Sequence, residues 1–215
     1  MKFVRKLYLK HPNWGIENLM LHITIITGIV YILYIINPTI LSYIVLERNM
    51  VFKAGQVWRL VTFIFFPPST SLLYVLFGLY FYYFLGRTLE NQWGKFYFTF
   101  YYGLCMLSTI IAALLVGGIY TGSYVNLSLF LAFAMLYPEH QVLLFFFIPI
   151  KVKWLGLIDA VLLLFNFIVG SVTAKVSIIA AMVGFFVFFG EDLVRLIKQE
   201  YIKLKYKIKN RNRGQ

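Results

Sequence analysis

The chain has 215 residues, of which 61% are hydrophobic, 20% aromatic and only 13% charged, with a formal net charge of +12. That is too little charge to cover a soluble domain of this length, so the composition points to a membrane and excludes an ordinary soluble enzyme. The basic residues flank apolar segments, as lipid head groups and insertion topology require, and this placement excludes nucleic acid as the partner.

Taken in chain order, a basic segment of residues 1–18 precedes a first apolar helix predicted over Leu19–Ile36. No small-residue cleavage site follows that helix, so no cleavable signal is expected. A long loop, Asn37–Thr70, leads to further apolar helices predicted over Leu72–Leu85, Tyr97–Gly117, Tyr124–Leu136, Leu155–Val169 and Val176–Phe189. The stretch Val142–Ile150 is apolar but too short to span, is interrupted by Pro149, and reads as a membrane-edge or re-entrant segment. The chain divides into a terminal segment (1–18), a six-helix membrane domain (19–193) and a basic tail (194–215), in which Lys203, Lys205 and Lys207 alternate with apolar residues. The lone Cys105, inside the third apolar run, excludes an intramolecular disulfide and a thiolate metal cluster. No metal site and no cofactor are expected.

Six spans put both termini on one face. Sixteen of the 20 basic residues fall on that face, against Arg48, Lys53, Arg59 and Lys175 on the other, so both termini are expected in the cytoplasm. With no organelle address, a bacterial cytoplasmic membrane is the expected location. Four of the predicted spans have apolar runs that reach only about 20–24 Å, short of a hydrocarbon core of ~30 Å. Either their ends extend beyond the apolar run, or the bilayer thins around them.

Three clusters carry further information. In the first loop, Gln56-Val57-Trp58-Arg59-Leu60-Val61-Thr62-Phe63 places an indole at head-group depth beside a guanidinium able to gather backbone carbonyls. The plain alternative is an interfacial anchor. At the end of the second span, Tyr82-Tyr83-Phe84-Leu85-Gly86-Arg87-Thr88-Leu89-Glu90, with Trp93-Gly94 following, sets Arg87 and Glu90 three apart on one helix face, where they can pair, or Glu90 can accept backbone donors from the next loop. The last span closes with Phe188-Phe189-Gly190-Glu191-Asp192-Leu193.

In this order and spacing, these clusters resemble the rhomboid superfamily and, within it, the derlin branch; with Pro138 and Ile148–Trp154 the resemblance covers about residues 15 to 195. It implies an all-α membrane protein with a six-helix rhomboid-like core and a long lateral first loop. Trp58, Arg59, Gly86, Arg87, Glu90 and Gly184 would be its structural motif residues.

Rhomboid proteases need a serine set between glycines on the fourth helix and a histidine on the sixth, which takes the hydroxyl proton. Here Thr121-Gly122-Ser123-Tyr124 offers the serine but lacks the second glycine, and Ser128 has no glycine beside it. The chain's histidines are His11, His22 and His140; the sixth span carries Ala181 where the family's histidine would sit, ahead of Gly184. The second helix offers Phe77 and Gly78 in place of the family's oxyanion residues. No residue is therefore assigned a catalytic role, and a pseudoprotease is expected. A Ser123–Lys175 dyad, or another atypical base, is the alternative that would restore an intramembrane serine protease.

Asp159 and Asn166 are polar residues inside the fifth span, where such groups are costly and face a partner or water. They are candidate client-facing residues lining a hydrophilic cavity; the plain alternative for Asp159 is a helix-end cap. A small-molecule transporter would need more polar residues in series. The resemblance implies binding of transmembrane or misfolded membrane-protein clients within a locally thinned bilayer, in protein quality control, with hand-over to a cytosolic protease or unfoldase.

Overall fold

Apolar helices separated by glycine and proline breaks organise this computed structural model, which describes residues 2–144 and 148–211. Helix α1 (Lys2–Lys10) is amphipathic: Val4 is buried, and Tyr8 meets Phe96 edge-on at 5.3 Å. The first span is α2 (Leu19–Ile36). The following loop is built from α3 (Ile40–Ile44), the short strand β1 (Leu46–Glu47), α4 (Arg48–Phe52), α5 (Arg59–Thr62) and a 3-10 turn at Phe63–Phe65. Then come α6 (Leu72–Trp93), α7 (Lys95–Val116), β2 (Ile119–Tyr120) and α8 (Ser123–Leu136). A hairpin of β3 (Gln141–Leu144) and β4 (Ile148–Lys151) precedes α9 (Val152–Val169) and α10 (Val172–Arg211).

Helices α2, α6, α7, α9 and the Val172–Arg195 part of α10 are each long and apolar enough to cross a membrane, and α8 is a shorter apolar helix. The protein is thus an integral membrane protein with an all-α, rhomboid-like core. Helix α8 is its axis. It packs on α6, α7, α9 and α10, and Val125, Leu129, Ala132 and Phe133 are fully buried. A helix that is apolar all round belongs in the interior of a bundle.

Three of the four spans whose apolar runs look short are longer as helices. Polar residues such as Arg87, Glu90 and Gln92 continue α6 to Trp93, α9 starts at Val152, and α10 starts at Val172. Hydropathy ends before the hydrogen-bonded ladder does. Helix α8 alone stays short, with 14 residues, or about 21 Å at ~1.5 Å per residue. At its start Gly122 lies against the first loop, where an added Cβ would stand 2.9 Å from the Ile64 Cα and where its N–H donates to Phe63 O and not to an earlier helical carbonyl. Pro138 closes the other end by disfavouring helix at Tyr137. Helix α10 passes through residue 193 without a break, so the basic tail continues the sixth span.

The stretch Val142–Ile150 forms an antiparallel hairpin, with Val142 opposite Ile150, in place of a re-entrant helix; residues 145–147 lie outside the described part. Glu139 at its base bonds Lys151 Nζ at 2.7 Å and Lys153 Nζ at 2.6 Å. These two ammonium groups hold its carboxyl down, at about 2.

Candidate functional site

The first loop is fastened to the core at several points. Strand β1 pairs antiparallel with β2, placing Leu46 opposite Tyr120, and Gly122 N donates to Phe63 O at 2.8 Å. Arg59, with 3% of its surface exposed, is the loop's hub. Its Nη1 donates to Ser42 O at 2.6 Å and Val45 O at 2.7 Å, while Nε donates to Gln56 Oε1 at 2.7 Å. A guanidinium supplies enough fixed donors to bind carbonyls of three turns at once. Trp58 points outward, half exposed, and its Nε1 donates to Tyr43 O at 3.2 Å. Phe52, Val57 and Val61 are exposed beside it, giving the loop an apolar outer surface.

At the other face, the Gly86–Glu90 motif receives the start of the first span. A Cβ on Gly86 would collide with Met20, so only glycine lets α2 and α6 approach here. Arg87 and Glu90 do not bond each other; both bond Asn18. Arg87 Nη1 donates to Asn18 Oδ1, and Asn18 N donates to Glu90 Oε1 at 2.7 Å. The ring of contacts continues through Lys95–Glu17 at 2.7 Å and Ile16 N to Thr99 Oγ1 at 2.9 Å. Lys95 draws the exposed Glu17 carboxyl below its ordinary range. Asn18 was not legible as a site residue, although an asparagine just before an apolar run is a helix-start signal.

The second and third clusters meet at Trp93, whose ring lies 5.4 Å from Tyr101, 5.3 Å from Phe188 and 5.8 Å from Phe189. Gly184 marks a close approach of α10 to α7: an added Cβ would run into Cys105 Sγ and stand 3.1 Å from Tyr101 O.

Ser123 is exposed at the first position of α8, where its Oγ meets Thr121 Oγ1 at 3.0 Å. Ser128 is fully buried. It donates to Val125 O at 2.8 Å, and its neighbours are Tyr101 Oη at 3.2 Å and Cys105 Sγ at 3.7 Å. The histidines are elsewhere: His11 stacks on Trp14, His22 bonds Asn18 O, and His140 lies against Phe84 and Phe133 near the hairpin. Lys175, in the first turn of α10, has no bond to either serine.

Asp159 sits two turns into α9, 6% exposed, and its Oδ2 has no hydrogen-bond partner. Among the described residues no backbone N–H caps it, which removes the helix-end reading; α9 begins at Val152, a turn earlier than its apolar run. A chain of polar groups from three other helices leads up to it through Tyr82. Tyr82 of α6 faces Asn126 of α8 and lies within electrostatic reach of Asp159, while Tyr102 Oη of α7 donates to Asn126 Oδ1 at 3.3 Å. Asn126 is 4% exposed. Sequence reading missed Tyr82, Tyr102 and Asn126 because tyrosine counts as apolar in a hydropathy scan; the polar Asn126 inside an apolar helix was the available signal. Asn166 is separate from this cluster: it is exposed on α9 and bonds only its own helix, at Leu162 O. A groove of about 1070 Å³ runs between α8, α9 and α10, but its walls are apolar, among them Leu131, Leu163, Ile178 and Met182. This apolar groove is lined by neither Asp159 nor Asn166, so it is distinct from the hydrophilic cavity expected of those two residues.

A polytopic membrane protein with a central short fourth helix, a tethered lateral first loop and a glycine contact on the sixth span defines the rhomboid-like class. The chain belongs to the Der1-like family, whose sequence profile matches residues 16–207. That family sits in the rhomboid-like superfamily, its members are generally inactive pseudoproteases, and it points to a membrane role in protein quality control. No curated protein matches the chain.

Proposed function

We propose that this protein is a non-catalytic holder of membrane-protein clients, which it binds along α9 in a patch of thinned bilayer before hand-over to a cytosolic protease or unfoldase. The observation that carries the reading is α9 itself. It packs on α8 and α10 but makes no extensive contact with α6, and Leu157, Ile158, Val161, Leu162, Leu164 and Phe165 are all more than half exposed. Between Trp154 and Gly170 the apolar run measures about 22 Å at ~1.5 Å per residue, and it carries the exposed Asn166. The helix itself is longer, but its apolar run is not, and a perimeter helix whose ends are polar favours local thinning over drawing Lys153 into hydrocarbon. The buried Asp159 lies behind its surface.

Catalytic inertness is part of the reading. Ser128 is enclosed by Tyr101 and Cys105, neither serine meets a histidine, and a hydroxyl without a base is a weak nucleophile. The charge distribution supports cytoplasmic termini. A photo-crosslinking residue at Ile158 or Leu162 in native membranes tests the proposal. Capture of transmembrane segments of other proteins is expected, with none from the same probe at Ile35 on α2. Equal capture from both positions would contradict it.

A further inference from the structure

We propose that Asp159 recognises a basic side chain, Lys or Arg, carried in the middle of a client's transmembrane segment. The inference rests on the client-holding reading and adds the chemistry of the client.

The other buried charges of the described chain have answers close by. Arg59 is met by three acceptors, and Glu90, although its Oε2 is unbonded, accepts a backbone N–H from Asn18 at Oε1. Asp159 is as deeply buried, yet no Lys, Arg or His pairs with it among the described residues, and its Oδ2 is unbonded. A buried carboxylate without a counter-ion is costly, and inside a bilayer such a residue marks a place where a partner arrives.

The chain's own cations cannot fill that place. Among the described residues the basic ones stand at the ends of the spans and in the loops, and Lys153, the one on α9 with Asp159, is held by Glu139 at 2.6 Å. The partner must come from outside, and the side by which it arrives is set by packing. Tyr82 places the polar cluster against α6, and α6 makes no extensive contact with α9. A helix lying in that strip touches the apolar outer residues of α9, Ile158 and Leu162, and a long side chain from its middle reaches inward to Asp159. The Tyr82 hydroxyl, within electrostatic reach of Asp159, supplies a further acceptor for an ammonium or guanidinium. A cation in a lone transmembrane helix is as poorly placed as the lone carboxylate, so pairing relieves both. Neutral polar side chains gain only ordinary hydrogen bonds here, and acidic ones are repelled.

The test uses the full chain in nanodiscs and a fluorescent Leu/Ala host helix with Lys, Leu or Glu at its centre, with binding read by energy transfer. The Lys helix is expected to bind at least about tenfold tighter than the Leu helix, as when a buried charge gains its counter-ion, and the Glu helix more weakly than either. Asp159→Asn, nearly isosteric, should bring the Lys helix to the Leu value and leave the Leu helix unchanged. The comparison of three helices on the unaltered protein stands even if that variant fails to fold. Equal binding of all three helices, or a Lys preference that survives Asp159→Asn, overturns recognition of basic residues while leaving client holding intact. Failure of every helix to bind overturns the client-holding reading itself.

Discussion

The backbone N–H of Asn18 donates to Glu90 Oε1 at 2.7 Å, joining the start of the first span to the end of the second across 72 residues of sequence. Asn18 adopts a left-handed conformation, φ 52°, to make that bond while its side chain takes Arg87. Bonds to a charged acceptor contribute about 1.5–3 kcal/mol each, so Glu90→Ala should lower stability in detergent by about that amount. Asn18→Gly keeps the backbone donor and suits the positive φ, losing only the Arg87 contact. It should cost clearly less than Glu90→Ala in a thermal melt; equal losses would show that the side-chain contact, and not the backbone bond, holds the corner.

Arg59 gives a second prediction. Arg59→Ala removes the donors to Ser42 O, Val45 O and Gln56 Oε1, so the loss should exceed that of a single charged bond, about 1.5–3 kcal/mol. Arg59→Lys keeps the charge but not the fork, and should rescue only part of the stability. Melting curves of the two variants in one detergent decide this. Full rescue by lysine would mean that the charge alone matters.

A third prediction concerns the contact of α10 with α7. Gly184→Ala pushes a methyl group into Cys105 Sγ, and overpacking of this kind costs about 1–3 kcal/mol. Cys105→Ala makes room, so the double variant should be more stable than Gly184→Ala alone, a coupling visible in a double-mutant cycle. Additive losses would show that the backbone, and not the thiol, limits the approach.

The order of the six spans, the lateral loop and the all-α class were legible in the sequence, because hydropathy runs and the Trp58-Arg59 and Gly86–Glu90 spacings are local signals. Helix ends were not. Polar residues from Arg87 to Trp93 remain helical because their backbone bonds stay within the helix, which a hydropathy scan cannot detect. Pairing also escaped it: Arg87 and Glu90 share a helix face, yet both are taken by Asn18, which sequence distance hides. The polar cluster at Asp159 draws one group from each of four helices, so no single segment announces it.

Bilayer thinning gives a fourth prediction. In nanodiscs of graded acyl-chain length, thermal stability and client binding should peak with chains shorter than those matching a ~30 Å core. Lengthening the exposed run with leucines before Gly170 should move that optimum to longer chains. An optimum at the ordinary thickness, unmoved by the insertion, would remove thinning from the account.

The central claim, holding without cutting, is tested most directly by one reconstitution. Purified protein is mixed with a helical transmembrane reporter, and the reporter is recovered with it and resolved by size. The account predicts that intact reporter co-purifies and that fluorophosphonate labels neither Ser123 nor Ser128. Cleaved reporter that disappears in Ser123→Ala or Ser128→Ala would contradict it.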